Sequence, residues 1–342
     1  VLDAIFHQLV NVGNRQFGGR YLFSGRDSDV MGFQEAGGGI AYLGDTESLE
    51  MHVGNGRMES VSMPGNELYG AISASVSGSA DLTPKLLPET RLEDLNGAVG
   101  QGIRKGTLAF DETDGVGSFS VDLSTADTIG DVIDLINAAA TEAGSGLTAT
   151  LTDVGLKLDS GSKTVVVAYG GSSTLAADLG LSSETSIQGE LEAGGLSPRL
   201  TPLTPISALA GGATLDLENG LVITNGSRSA VIDLSSAETV QDLLNTINAS
   251  NTYVEARVSA DGTSIDLYSR VSGVDLHVTE NGGTTATNLG LRTFDLTTPL
   301  SDMNYGRGVE LTSEAEAPDL VFKDDTGAVI LEVRLAGALT LN

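Results

Sequence analysis

The chain of 342 residues contains no cysteine and no tryptophan. Without cysteine there can be no disulfide framework and no thiolate metal site. That is compatible with the cytoplasm, and also with export by a route that forms no disulfides. Basic residues are scarce, with 18 Lys and Arg against 46 Asp and Glu and a formal net charge of −28. Nucleic acids and anionic membranes are held by clustered Lys and Arg, so this balance argues against both as partners. It reads as a solvated acidic surface that keeps the protein soluble. Aromatic residues make up only 4% of the chain, and no apolar run approaches the ~18 residues of a membrane span. Val1 to Asn11 lacks the basic start of a cleaved signal peptide.

What is abundant is glycine, 44 residues, with many Ser and Thr. Such a chain makes short strands and turns around thin cores of Val, Leu, Ile and Ala. The sequence also repeats itself. Val121 to Asn137 reads VDLSTADTIGDVIDLIN, Ile232 to Asn248 reads IDLSSAETVQDLLNTIN, and Val333 to Leu341 begins a third copy, VRLAGALTL.

Each full copy starts with a short helix or turn, Leu92–Asn96 and Ile206–Leu209, and two strands follow, Thr107–Phe110 with Phe119–Leu123, and Leu221–Thr224 with Ala230–Leu234. A helix follows. Thr128 and Thr239 are suited to its N-cap, and Asp131 and Asp242 stand at capping-box spacing. Ile129, Val132, Ile133 and Ile136 form an apolar stripe, as do Val240, Leu243, Leu244 and Ile247. Asn137 and Asn248 are expected to close the helices, because Asn tolerates the left-handed conformation found there. Leu147–Leu151, Leu156–Leu158 and Val165–Val167 then match Val254–Val258, Ile265–Tyr268 and Leu276–Val278.

The expected fold class is α+β: the end of an N-terminal helix, a small β-region, then tandem β-rich modules each carrying one packed helix. The boundaries read as a core-proximal region at 1–72, modules at 89–188 and 203–295, and an incomplete third module at 299–342. Ser73 to Pro88 and Gly189 to Pro205, rich in Ser, Gly and Pro, read as linkers. Near the N-terminus, Leu2, Ile5, Phe6 and Leu9 lie at helical spacing and form an apolar stripe that needs a bundle partner. The helix stops near Gly13 or Gly18–Gly19 and is expected to begin upstream in a longer protein.

Candidate chemistry is sparse. His7, His52 and His277 sit on separate elements and form no zinc set. Asp122 and Asp233 recur at equivalent places, and an active site is seldom duplicated in tandem, so turn and cap roles are expected. Asp111-Glu112-Thr113-Asp114 and Lys323-Asp324-Asp325-Thr326-Gly327 are loose calcium-loop fragments without the spacing of a calcium hand. No nucleophile-elbow, phosphate-loop or dinucleotide fingerprint is present. No catalytic residue, cofactor or metal is expected.

The repeated residues Val121-Asp122-Leu123-Ser124, Ala126, Thr128, Asp131 and Ile136-Asn137, with their second copy, resemble the flagellin hook IN motif of flagellar axial proteins. The third copy departs from it at Arg334 and Ala336. Asn14-Arg15-Gln16-Phe17-Gly18-Gly19-Arg20-Tyr21-Leu22-Phe23-Ser24-Gly25 and Tyr42-Leu43-Gly44-Asp45 resemble signatures of the hook-associated protein 3 family, which joins hook to filament. Gly32-Phe33 stands where that family usually has Pro-Phe. The resemblance implies a non-enzymatic, extracellular flagellar subunit whose helix contacts neighbours, with Tyr21, Leu22 and Phe23 anchoring the turn into the β-region. It implies modules projecting outward on Pro/Gly hinges. Its implied partners are the neighbouring hook-associated protein, flagellin and an export chaperone. With the polymerising helices absent, the chain is expected to be monomeric. The alternatives are another axial protein, the filament cap or a large flagellin, and an adhesive or carbohydrate-binding array.

Overall fold

The computed structural model of the chain describes residues 2–54, 57–60, 62–69, 74–113, 117–169, 174–181, 186–294, 298–300, 303 and 318–333. Its class is α+β, with a helix at the N-terminus. Helix α1 (Leu2–Gly13) leads into a ribbon of β1 (Gln16–Phe17) and β2 (Arg20–Tyr21), turned by Gly18 and Gly19 at φ 60° and 81°. A hairpin of β3 (Phe33–Ala36) and β4 (Gly39–Tyr42) follows, then a ribbon of β5 (Glu50–His52) and β6 (Met58–Ser60). The short helix α2 (Gly65–Tyr69) and strand β7 (Ser75–Val76) complete this region.

The first module contains β8 (Thr107–Glu112), β9 (Phe119–Asp122), α3 (Ile129–Glu142), β10 (Thr148–Leu151), β11 (Leu156–Tyr169), α4 (Leu175–Asp178) and β12 (Ser186–Glu192). Its antiparallel sheet runs β10-β11-β8-β9, with β12 also on β11. Alternation turns Leu108 and Phe110 of β8 inward, where α3 covers them with Ile129, Val132 and Ile136. Strand β11 is one long strand where two were expected. A register shift between Asp159 and Thr164 bends it, so its first half pairs with β10 and its second with β8.

The second module begins with the distorted turn α5 (Leu209–Gly212). It continues through β13 (Leu221–Asn225), β14 (Arg228–Ile232), α6 (Val240–Asn248), β15 (Val254–Val258), β16 (Ile265–Ser269), β17 (Val271–Ser272), β18 (Leu276–Glu280) and α7 (Thr285–Asn288). The path matches the first module, with β11 divided into β16, β17 and β18.

Among the described residues nothing after α7 supplies an equivalent of β12. Two strands from the N-terminal region take that place. Strand β7 pairs with β16 through Leu267↔Val76, and β4 pairs with β17 through Val271↔Ala41. The segment read as a linker at 73–88 is therefore structural. Leu82 is wholly buried in the second core, and Leu86, 3% exposed, lies in the first. Apolar side chains in a Ser/Pro-rich stretch are drawn into whichever core is adjacent, because burial of each is worth about 1.5–3 kcal/mol. The second module thus collects residues from both sides of the first, which sits within it as an insertion.

The last described element is a hairpin of β19 (Leu320–Lys323) and β20 (Val329–Val333). Its pairs Leu320↔Val333 and Phe322↔Leu331 repeat Leu108↔Val121 and Phe110↔Phe119 of the first module. The remainder of the third copy, 334–341, lies outside the described residues.

Candidate functional surfaces

The Phe23-Ser24-Gly25 and Tyr42-Leu43-Gly44-Asp45 motifs form a single packing unit. Tyr42 is wholly buried between Phe33 and the loop at 23–25. Its Oη lies 2.7 Å from the Asp45 carbonyl oxygen and 3.0 Å from that of Phe23, and accepts from the Gly65 N–H. Ser24 is also wholly buried and donates to the Val30 carbonyl. Gly25, at φ 63°, lies so close to the Asp45 carbonyl that a Cβ would sit 2.1 Å from its oxygen. Only glycine fits there. Asn14 clamps the next strand, donating to the Phe33 carbonyl at 2.7 Å and accepting from its N–H at 2.8 Å.

Of the three expected anchors, Phe23 alone joins the cluster of Phe33, Ile40 and Tyr42, with Val10 and Tyr69. Tyr21 is half-buried on β2, and Leu22 is 46% exposed. Strand β2 ends at Tyr21, and the turn that follows points Leu22 outward. Arg270 ties this unit to the second module. Its carbonyl accepts from the Tyr42 N–H, and its guanidinium reaches the Gly44 carbonyl and lies 5.8 Å from the Tyr42 ring centre.

Helix α1 presents Ile5, Phe6 and Leu9 to solvent at 51%, 44% and 52% exposure. Leu2 lies in its first turn, and its side chain is outside the described ones. A hollow of about 150 Å³ lies between Phe6, Leu9, Val10, Phe33, Ile40 and Tyr69. Fourteen of the twenty-five exposed large apolar side chains among the described residues fall between Ile5 and Leu68, six in the β19–β20 hairpin, and only five in the modules between. Exposed apolar surface among the described residues is therefore concentrated in two places, the N-terminal region and the β19–β20 hairpin, and is sparse in the modules.

The repeat motif has a physical role at each position. Thr128 and Thr239 accept from the N–H of Asp131 and Asp242, whose carboxylates accept in return, a full capping box in both modules. Hydrogen bonds from the Asp127 and Thr128 N–H hold the Asp131 carboxyl below the usual range, and those from Thr239, hydroxyl first, do so for Asp242. Asp122 and Asp233 accept from Ser124 and Ser235 at 2.9 Å, forming Asx turns.

Asn137 and Asn248 do not act as left-handed caps. Helix α3 runs on to Glu142 through helix-forming alanines, and Asn248 is the last residue of α6, with Ala249 right-handed. Both amides instead clamp the following strand. Asn137 bonds the N–H and carbonyl of Ala149 at 2.7 and 3.0 Å, and Asn248 those of Ala256 at 2.6 and 3.2 Å.

The first module encloses two carboxylates: Glu112, read from sequence only as part of an acidic turn, and Asp178, not singled out at all. Glu112 accepts from Lys163 Nζ at 2.6 Å and Ser145 Oγ at 2.7 Å. Asp178 accepts from Arg104 Nε and Nη2 at 2.8 and 2.9 Å, and from the Ala98 N–H at 2.9 Å. Burial pushes the Asp178 carboxyl up, but the Arg104 guanidinium and the N–H donors outweigh it and hold it below the usual range. Their burial gives no periodic signal that a single sequence reveals. His7 Nδ1 lies 3.1 Å from Glu35 Oε1, His52 is exposed on β5, and His277 lies on β18. Asp324 accepts from Thr326 and Ala328 within its hairpin turn, while 114–116 of the other acidic turn lie outside the described residues. Among the described residues no three acidic or histidine side chains converge on a metal position. None of their helices is long and apolar enough to cross a membrane.

No protein-family model matches the chain, and no curated protein does. Solved structures similar to parts of it include FlgL of Xanthomonas campestris, at 16% identity and a TM-score of 0.19, covering 58% of this chain and 51% of that one. Flagellar hook-associated protein 3 of Legionella pneumophila is similar at 15% identity and a TM-score of 0.19, covering 56% of this chain and 55% of that one. The flagellar cap protein FliD of Helicobacter pylori is similar at 14% identity and a TM-score of 0.17, covering 77% and 76%. The chain thus spans about half the length of the FlgL and hook-associated structures it matches.

Proposed function

We propose that this chain is part of a structural subunit of the bacterial flagellum that joins hook to filament and lies outside the cell. The observation that carries the reading is the exposed apolar face of α1, set against acidic modules that bury most of their large apolar side chains. A face carrying Ile5, Phe6, Leu9 and Val12 suits burial against neighbouring helices, each such side chain gaining about 1.5–3 kcal/mol when covered. The motif unit at Phe23–Gly25 and Tyr42–Asp45 holds that helix end against a β-platform. On this reading the modules are passive mass, the second reaching the hollow beside α1 through Ser272. Partners on this reading are an adjacent hook-associated subunit, flagellin and, before assembly, an export chaperone. The described chain alone is a monomer in solution.

Deleting the gene is expected to leave hooks without filaments and to release flagellin into the medium. Normal filaments on the deletion strain would overturn the reading. Sedimentation of this chain is expected to give a monomer, and a concentration-independent oligomer would contradict that part of it.

A further inference from the structure

The chain crosses between the modules twice, and the two crossings are alike in sequence. Leu82-Thr83-Pro84-Lys85-Leu86 goes out and Leu196-Ser197-Pro198-Arg199-Leu200 comes back. Each continues to a second proline and a threonine, Pro88 with Thr90 and Pro202 with Thr204.

Their packing is reciprocal. Leu82 and Leu200 lie in the second core, Leu86 and Leu196 in the first. Every crossing therefore leaves one leucine in each core.

The backbone hydrogen bonds are matched in the same way. Lys85 N–H donates to the Ala208 carbonyl at 2.8 Å, and Arg199 N–H to the equivalent Asp94 carbonyl at 2.7 Å. Leu86 bonds Asp153 at 3.0 Å, and Leu200 bonds Gly262 at 2.7 Å. Leu82 donates to Thr263 at 2.8 Å, and Leu196 to Val154 at 2.9 Å. The carbonyls of Leu82 and Leu196 accept from Ala210 and Asn96 at 3.4 and 3.2 Å. Such pairing is what an approximate two-fold axis through the crossings produces. Arg199 Nε also donates to Asn96 Oδ1 at 2.8 Å, across the joint.

The backbone here is strained as well. Ser197 and Ala210 adopt φ 45° and 49°, two of the three non-glycine residues in the left-handed region among those described. Strain of this kind persists only where the surroundings over-determine the conformation.

We propose that the two crossings form a fixed, two-fold-related joint that locks both modules into one rigid body. It replaces the Pro/Gly hinges expected from composition. The prolines restrict φ and stiffen the strands of the joint, and are not points of bending. The joint therefore sets the direction in which the first module projects from the second.

The absence of cysteine makes the test direct. Spin labels at Ser124→Cys and Ser235→Cys, exposed and equivalent turn positions, report the distance between modules in the full chain. A single narrow distance distribution is expected, broadened at least about two-fold in width by the Pro84→Gly, Pro198→Gly pair. Amide exchange at Lys85 and Arg199 is expected to be slowed by at least about 100-fold, to the same degree at both. A broad distribution in the parent protein, unprotected amides at these positions, or a variant as narrow as its parent would each overturn the proposal.

Discussion

The first module supplies its own edge strand, β12, whereas the second takes the equivalent strand from β4 and β7 of the N-terminal region. One chain path can thus be closed in two ways, and the choice decides how each module is attached. A module with its own edge meets the rest of the molecule mainly at the two crossings. One that borrows its edge is joined to the helix-bearing end by sheet hydrogen bonds. The two also differ inside. At equivalent positions the first module holds buried Glu112 and Asp178, each with a cationic partner, and the second holds buried Asn225 and half-buried Asn288. The Asn225 amide is satisfied by neutral groups, donating to the Thr252 carbonyl and accepting from Ser269 Oγ. The first module depends on ion pairs that the second does without.

The largest effect expected from this comparison comes from Leu82→Ala. Although Leu82 precedes the first module in sequence, its truncation is expected to cost about 2–5 kcal/mol in the second core. Hydrogen exchange should therefore speed up in α6 and β15 and leave α3 unchanged. Loss confined to α3 would break the nested arrangement. Next, Lys163→Met leaves Glu112 enclosed without its cation, at a cost of about 3 kcal/mol to the first module. Urea unfolding followed by a probe in each module should show only the first destabilised.

Acid should weaken the Asp178 ion pair of the first module. The Asp178 carboxyl is depressed in the folded state, so its contribution is complete above the unfolded carboxylate value of about 3.9 and is lost as pH falls through the folded value. In thermal unfolding, the first module of Asp178→Asn should lose less stability than that of the parent as pH falls below about 4. Smaller and equal effects are expected from the caps. Thr128→Ala and Thr239→Ala should each cost about 1 kcal/mol, and a marked inequality would show that the two boxes are not equivalent. The smallest change is a gain: Ala210→Gly relieves a left-handed alanine and should stabilise by up to about 1 kcal/mol in calorimetry.

The repeat's hairpins, capped helices and apolar stripes were legible because they rest on local spacing. The periodicity of Ile129–Ile136 and the Thr/Asp cap pairs need no information from elsewhere in the chain. Strands β4 and β7 could be read individually at best, since their pairing with β17 and β16 spans more than 190 residues of sequence. Ser75–Val76 carries too few residues for an alternation to show, so composition alone assigned it to a linker. Asn137 was visible as a repeated residue on its helix, but its target, Ala149, lies on strand β10 and is fixed only by packing. The Tyr21-Leu22-Phe23 run showed apolar content without showing which side chain turns inward. That is decided by the end of β2 and by the glycine turn at Gly25.

The account rests on the apolar α1 face being the surface that other subunits cover, while the modules stay free. A photo-crosslinking residue placed at Leu9, and separately at Val231 on the exposed side of β14, tests this in cells making the intact protein. The account predicts adducts with flagellar axial subunits from position 9 and none from position 231. Adducts from position 231 with position 9 silent would contradict it.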